Sequence, residues 1–157
     1  LQLETADVAW IRWSELLTCK HLAEEVEVIV IDQLGVLLAA YHLSQACFVG
    51  GSLVPWGGHN MLEPASLKKP IVTGQHNHNF AEIAQALQEA QALTLVDNAT
   101  ALAQTLQTWA DHPEQAQAQG ESAFSVFLSQ QGATARVMTA LSPWIAEAWQ
   151  GSLPPTA

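Results

Sequence analysis

The sequence has 157 residues, enough for one hydrophobic core and too few for two domains of ordinary size. Hydrophobic residues make up 49% of it, a globular composition, yet no apolar run reaches the roughly 18 to 20 residues that a membrane-spanning helix needs. Fifteen acidic against five basic residues give a formal net charge of −10, which repels phosphate backbones and argues against a nucleic acid as partner.

The chain opens on Leu1, and its first residues read as the middle of a longer protein rather than as a start or a signal peptide. Cys19 and Cys47 lack the short spacing of a zinc or redox pair, so two free thiols in a reducing compartment are expected.

Strand formers cluster at residues 8–13 and, more strongly, in the β-branched run 26–31. Leu34, Leu37, Leu38 and Tyr41 recur at helical spacing between Asp32 and Ser44, with Asp32 expected to cap the first turn. The short apolar run 46–49 suits a buried parallel strand. The rhythm continues with a helix over 60–67, a strand over 70–73, a helix over 79–91 and a strand over 93–96. Beyond Asp97 three helices are expected, from about 99 to 149, with Leu102, Leu106, Trp109, Val137, Leu141 and Ile145 as core positions. Trp144 and Trp149 on the last helix leave an apolar patch through which the chain can self-associate. This alternation predicts an α/β fold, a Rossmann-like parallel sheet with helices on both faces, and such sheets bind ligands beyond the carboxyl ends of their strands.

The informative segment begins where the third predicted strand ends. Gly50-Gly51-Ser52 combines a sharp turn, an open approach to the backbone and a hydroxyl donor, although the glycine pair taken alone reads sooner as plain punctuation. A second pair, Gly57-Gly58, precedes His59 and Asn60 at the predicted start of a helix, where free N–H groups and the helix dipole can hold a phosphate. No Lys or Arg lies in this loop, which suits a monophosphate better than a triphosphate. Glu63 is either a dipole-stabilised acid of the first turn or a carboxylate whose two oxygens take both hydroxyls of a ribose. Pro64 is tolerated there because an opening turn needs no donor from it. The run Gly74-Gln75-His76-Asn77-His78-Asn79-Phe80 comes after the next strand, with Asn79 expected to cap a helix and His76 to face the same crevice. His59, His76 and His78 have no cysteine or paired carboxylate beside them, so solvated or substrate-facing roles are favoured over metal binding.

Together, Val49-Gly50-Gly51-Ser52-Leu53-Val54, Gly57-Gly58-His59-Asn60, Leu62-Glu63-Pro64-Ala65 and the run from Gly74 to Phe80 resemble the Kdo (3-deoxy-D-manno-octulosonate) transferases of lipopolysaccharide biosynthesis. The similarity extends more weakly from about Ala6 to Trp144. Met61 and Gln75 stand where the family usually has proline, and Lys68 replaces a small residue.

The resemblance implies a GT-B glycosyltransferase, with residues 1–157 as a truncated C-terminal donor-binding domain. By it, Gly50, Gly51 and Ser52 line the donor crevice, Gly57, Gly58, His59 and Asn60 meet the phosphate of CMP-Kdo, Glu63 holds the ribose, and His76 and Asn79 lie in the matching later loop. It implies no cofactor and no metal. The acceptor, a lipid A precursor, the catalytic carboxylate and the attachment to the cytoplasmic face of the inner membrane belong to a missing N-terminal domain, so the piece alone is expected to be soluble and inactive. A UDP-sugar enzyme of the same architecture and a non-catalytic Rossmann-like module are the alternatives.

Overall fold

The computed structural model describes residues 8–16, 18 and 25–150. The chain divides into two compact units, residues 1–45 and 46–157.

In the first unit, β1 (Trp10–Arg12) and β2 (Val28–Val30) pair in parallel, with Ile11 opposite Ile29. A single turn, α1 (Trp13–Leu16), comes directly after β1, and α2 spans Leu37–Leu43. This second helix starts later than its apolar pattern predicts, and Asp32 does not cap it. The Asp32 carboxylate instead accepts the Ser14 backbone N–H at 3.1 Å and the Ser14 hydroxyl at 2.6 Å. The Ser14 hydroxyl is the main cause that holds the Asp32 carboxyl below the ordinary aspartate value, with the Ser14 backbone N–H adding to it. Leu34 lies outside α2 and is fully exposed, so it is not part of a helical stripe. Cys19 lies outside the described residues.

The second unit is built on a parallel sheet in the order β3 (Cys47–Val49), β4 (Ile71–Thr73), β5 (Thr94–Leu95). All three residues of β4 are buried, as a central strand covered on both faces must be. Successive side chains of a strand point to opposite faces, and here they enter different cores. Ile71 packs with Met61, Ala65, Leu87 and Ala123, while Val72 packs with Val96, Trp109 and Ala116. Those partners lie on or beside α3 (Leu62–Ser66), α4 (Ala81–Glu89), α5 (Ala99–Asp111) and α6 (Pro113–Gln130). Helices therefore cover both faces of this sheet, and the fold is the parallel α/β class expected.

Local signals explain the helix starts. The Asn98 side chain accepts the Ala101 N–H at 2.9 Å and begins α5, and Pro113 stands in the first turn of α6. Gly120 brings α6 close to the end of α3: a Cβ at this position would collide with the Lys68 carbonyl.

The last helix, α7 (Ala133–Gln150), departs from expectation in its packing. Val137, Leu141 and Ile145 share one face, but they are 55%, 44% and 45% exposed, and Leu106 on α5 is 37% exposed. Periodicity correctly marked the apolar face of α7, yet that face is open rather than core. Trp144 is exposed as well, and the side chain of Trp149 lies outside the described residues. Among the described residues no helix is long and apolar enough to cross a membrane.

Candidate functional site

Two loops leave the carboxyl ends of β3 and β4, spanning 50–61 and 74–80, and bring most of the sequence-predicted residues together. A buried polar knot joins them. The Ser52 hydroxyl donates to the Val49 carbonyl at 2.7 Å and accepts the Gly74 N–H at 2.8 Å. The Ser52 carbonyl accepts the His76 N–H at 2.9 Å. Asn77, only 8% exposed, accepts from the Thr73 hydroxyl at 3.1 Å and donates to the Gly74 carbonyl at 2.6 Å. Every one of these groups is satisfied within the protein, as buried polar groups require.

Several expectations change as a result. Ser52 is fully buried and its hydroxyl is spent on the two loops, so it supports the crevice instead of presenting a donor to a ligand. Gly57 and Gly58 are buried too, and what approaches them is protein. A Cβ on Gly57, where φ is +99°, would collide with the Asn79 side chain, and one on Gly58 would lie 2.6 Å from Asn77 Oδ1. The Gly58 N–H is occupied by the Gly51 carbonyl at 2.9 Å and is not available to a phosphate. Asn79 does not cap α4, because it lies inside a 3-10 turn, His78–Phe80, that runs into the helix; its Nδ2 donates to the Trp56 carbonyl at 3.2 Å and its N–H to the Gly57 carbonyl at 3.1 Å.

The predicted helix over 60–67 shrinks to the five residues of α3, Leu62–Ser66. So short a helix sums few peptide dipoles, and the positive potential at this end comes from individual N–H groups rather than from a macrodipole. The N–H groups of His59 and Asn60 make no hydrogen bond among the described residues. His59 is exposed, its ring lying over Gly51, whose added Cβ would be 3.1 Å from His59 Nε2.

Asn60 organises the start of α3. Its Oδ1 accepts the Leu62 N–H at 3.0 Å and its Nδ2 donates to Glu63 Oε1 at 3.2 Å. Glu63 is half-buried, with one carboxylate oxygen engaged by Asn60. Gly50 sits at the mouth of the first loop, where an added Cβ would meet only Phe48 at 3.9 Å. His76 is exposed and lines, with Gln75, Asn77, His78, Gln85 and Gln88, a cavity of about 450 Å³ between the second loop and α4. Among the described residues no group of three or more His, Cys, Asp or Glu is placed to hold a metal ion.

Three residues of the site were not predicted. Thr73 and Asn77 lock the loops from inside, and Trp56 stands on the first loop with 78% of its surface exposed. Asn77 is one of three asparagines suited to local capping, and sequence offers no means of telling which of them turns inward. Trp56 carried a usable signal, a large aromatic between Pro55 and two glycines where no helix or strand can bury it.

No family model matches the chain. It is 37% identical over 123 residues to a 3-deoxy-D-manno-octulosonic acid transferase of Haemophilus influenzae, an alignment covering 78% of this chain and 29% of that protein. It is 32% identical over 145 residues to the transferase of the same description from Bordetella pertussis, covering 92% of this chain and 33% of that protein. The chain thus spans about a third of the length of these relatives. Among solved structures it resembles the C-terminal CMP-Kdo binding domain of WaaA from Acinetobacter baumannii, with 31% identity, a TM-score of 0.72, and coverage of 78% of this chain and 63% of that one.

Proposed function

The chain belongs to the 3-deoxy-D-manno-octulosonic acid transferase family, and on that premise we propose that it forms the donor-binding side of a GT-B glycosyltransferase that moves Kdo from CMP-Kdo to a lipid A precursor. The observation that carries this reading is the pairing of Glu63 with Asn60 beside the unengaged N–H groups of His59 and Asn60. A carboxylate acceptor for ribose hydroxyls then stands next to donors for one phosphate, in a domain whose solved relative is described as binding CMP-Kdo.

In this reading Gly50 and Gly51 border the crevice, His59 and Asn60 meet the phosphate through backbone N–H groups, and Glu63 takes the ribose through its remaining acceptor capacity. Asn79 ties the second loop to the first at Trp56 and Gly57, and His76 lies on the second loop at the cavity beside α4. Ser52, Gly57 and Gly58 keep these groups in place from behind. Transfer breaks the bond between the anomeric carbon and the phosphate oxygen while an acceptor hydroxyl attacks, so negative charge grows on the departing CMP. Preorganised N–H donors favour that charge where it develops. Residues 1–157 act as one donor-binding domain, and the acceptor is bound by the other domain of the enzyme at the cytoplasmic face of the inner membrane.

The test is a calorimetric titration of the chain with CMP and with UDP. Saturable binding of CMP in preference to UDP supports the reading. Preference for UDP would move the chain to a UDP-sugar enzyme of the same architecture, and failure of the complete two-domain protein to bind any nucleotide would leave a non-catalytic module.

A further inference from the structure

We propose that the cavity between the second loop and α4 is a binding site for a neutral sugar. None of its lining residues is among those proposed to hold the phosphate or the ribose of CMP. It encloses about 450 Å³, within the roughly 300 to 1,000 Å³ of small-molecule sites. Gln75, two residues beyond β4, and Leu95, the last residue of β5, both line it. The cavity therefore stands at the carboxyl ends of these strands, the edge at which parallel sheets take ligands.

The chemistry of the lining selects the ligand class. No Asp, Glu, Lys or Arg is part of it. Its free polar groups are the imidazoles of His76 and His78 on the loop and the carboxamides of Gln75, Gln85 and Gln88. Gln75 donates its Nε2 to Asp97 Oδ1 at 3.0 Å, and Gln85 donates its Nε2 to Glu89 Oε1 at 2.8 Å. A carboxylate only accepts, so each acid turns the amide nitrogen toward itself and the carbonyl oxygen away, and neither oxygen has a partner among the described residues. The Gln88 amide and the two imidazoles make no hydrogen bond among the described residues either. Several acceptors with a few donors match ring hydroxyls, each of which donates and accepts. Ala81, Ala84 and Leu95 add apolar surface for the C–H groups of a sugar ring. An anion would find no Lys or Arg here and would meet the carboxylates of Asp97 and Glu89. The loop is also ordered in advance. Asn77 is locked in the buried knot, and the Ser52 and Gly57 carbonyls hold the N–H groups of His76 and Asn79, so a ligand has little backbone left to order.

The test is a residue-resolved NMR titration of the chain with glucose, galactose and N-acetylglucosamine, with glucuronate and inorganic phosphate as anionic probes. Saturable shifts at Gln75, His78, Gln85 and Gln88 are expected with at least one neutral sugar, at a dissociation constant on the order of 1 mM. Glucuronate should bind more weakly than glucose, and phosphate should leave these signals in place. Gln88→Ala, at an exposed helix position, should keep the melting temperature and need about tenfold more sugar for saturation. Absence of saturable shifts with every neutral sugar up to about 100 mM would overturn the proposal. So would tighter binding of glucuronate or phosphate, or an affinity unchanged in Gln88→Ala. Binding of CMP is read at His59, Asn60 and Glu63, so failure of the sugar site and failure of the donor-site reading are distinguishable.

Discussion

Asn60 and Glu63 are joined by a 3.2 Å hydrogen bond from the asparagine amide to one carboxylate oxygen, while the asparagine oxygen holds the N–H of Leu62. One side chain thereby fixes both the start of α3 and the direction of the acid. The acid is aimed by the loop, because a five-residue helix is too short to aim it alone.

Replacing Glu63 by alanine is expected to weaken CMP binding by roughly 1 to 3 kcal/mol, the worth of charge-assisted hydrogen bonds to ribose hydroxyls. Thermal stability should change little, since the carboxylate is only half-buried and its partner, the Asn60 amide, is neutral. Calorimetry with CMP checks the first expectation, and an unchanged dissociation constant would remove Glu63 from the site.

Gly57 and Gly50 should respond differently to alanine. At Gly57 the new methyl meets a left-handed φ of +99° and the Asn79 side chain, so the folded state should lose on the order of 2 kcal/mol. At Gly50 the methyl has 3.9 Å to its nearest neighbour and the melting temperature should hold. If Gly50 borders the crevice as proposed, CMP affinity falls in Gly50→Ala without any change in stability.

The buried hydroxyl of Ser52 predicts a stability defect of about 1 to 3 kcal/mol in Ser52→Ala, because the Gly74 N–H loses its acceptor in a site closed to water. Urea unfolding measures this directly. A variant as stable as the parent but deficient in CMP binding would return Ser52 to the role of ligand contact.

In the first unit, Ser14→Ala should raise the Asp32 pKa toward its ordinary value, since the Ser14 hydroxyl is the main cause of its lowering. The folded pKa lies below the unfolded one, so the stabilisation is complete above about pH 3.9 and fades as the pH falls through the lowered value. An NMR titration of the Asp32 carboxyl in both proteins tests the cause, and identical titration curves would contradict it.

In the second unit the strands and the covering helices were legible because apolar runs and periodicity coincide there with burial, as at Ile71 and Val72 on opposite faces of β4, whereas the β-branched run 26–31 of the first unit has no buried residue. The site loops were legible in position but only partly in role. Gly57, Gly58 and Ser52 look in sequence like ligand-facing residues, yet each is enclosed by the second loop, a contact between segments about 20 residues apart that no local pattern encodes. Asp32 and Asn79 have the chemistry of helix caps, and in both cases a partner distant in sequence, Ser14 or Trp56, engages the side chain instead. The exposed face of α7 shows the same limit from the other side: spacing defines a face without saying what covers it.

The most direct test of the donor-site assignment is a residue-resolved NMR titration of the chain with CMP. Saturable shifts are expected on the backbone amides of His59 and Asn60 and on Glu63, and those of His59 and Asn60 should need roughly 5- to 150-fold more CMP when Glu63 is replaced by alanine. Shifts confined to the cavity beside α4, or unaltered by the Glu63→Ala exchange, would contradict the assignment.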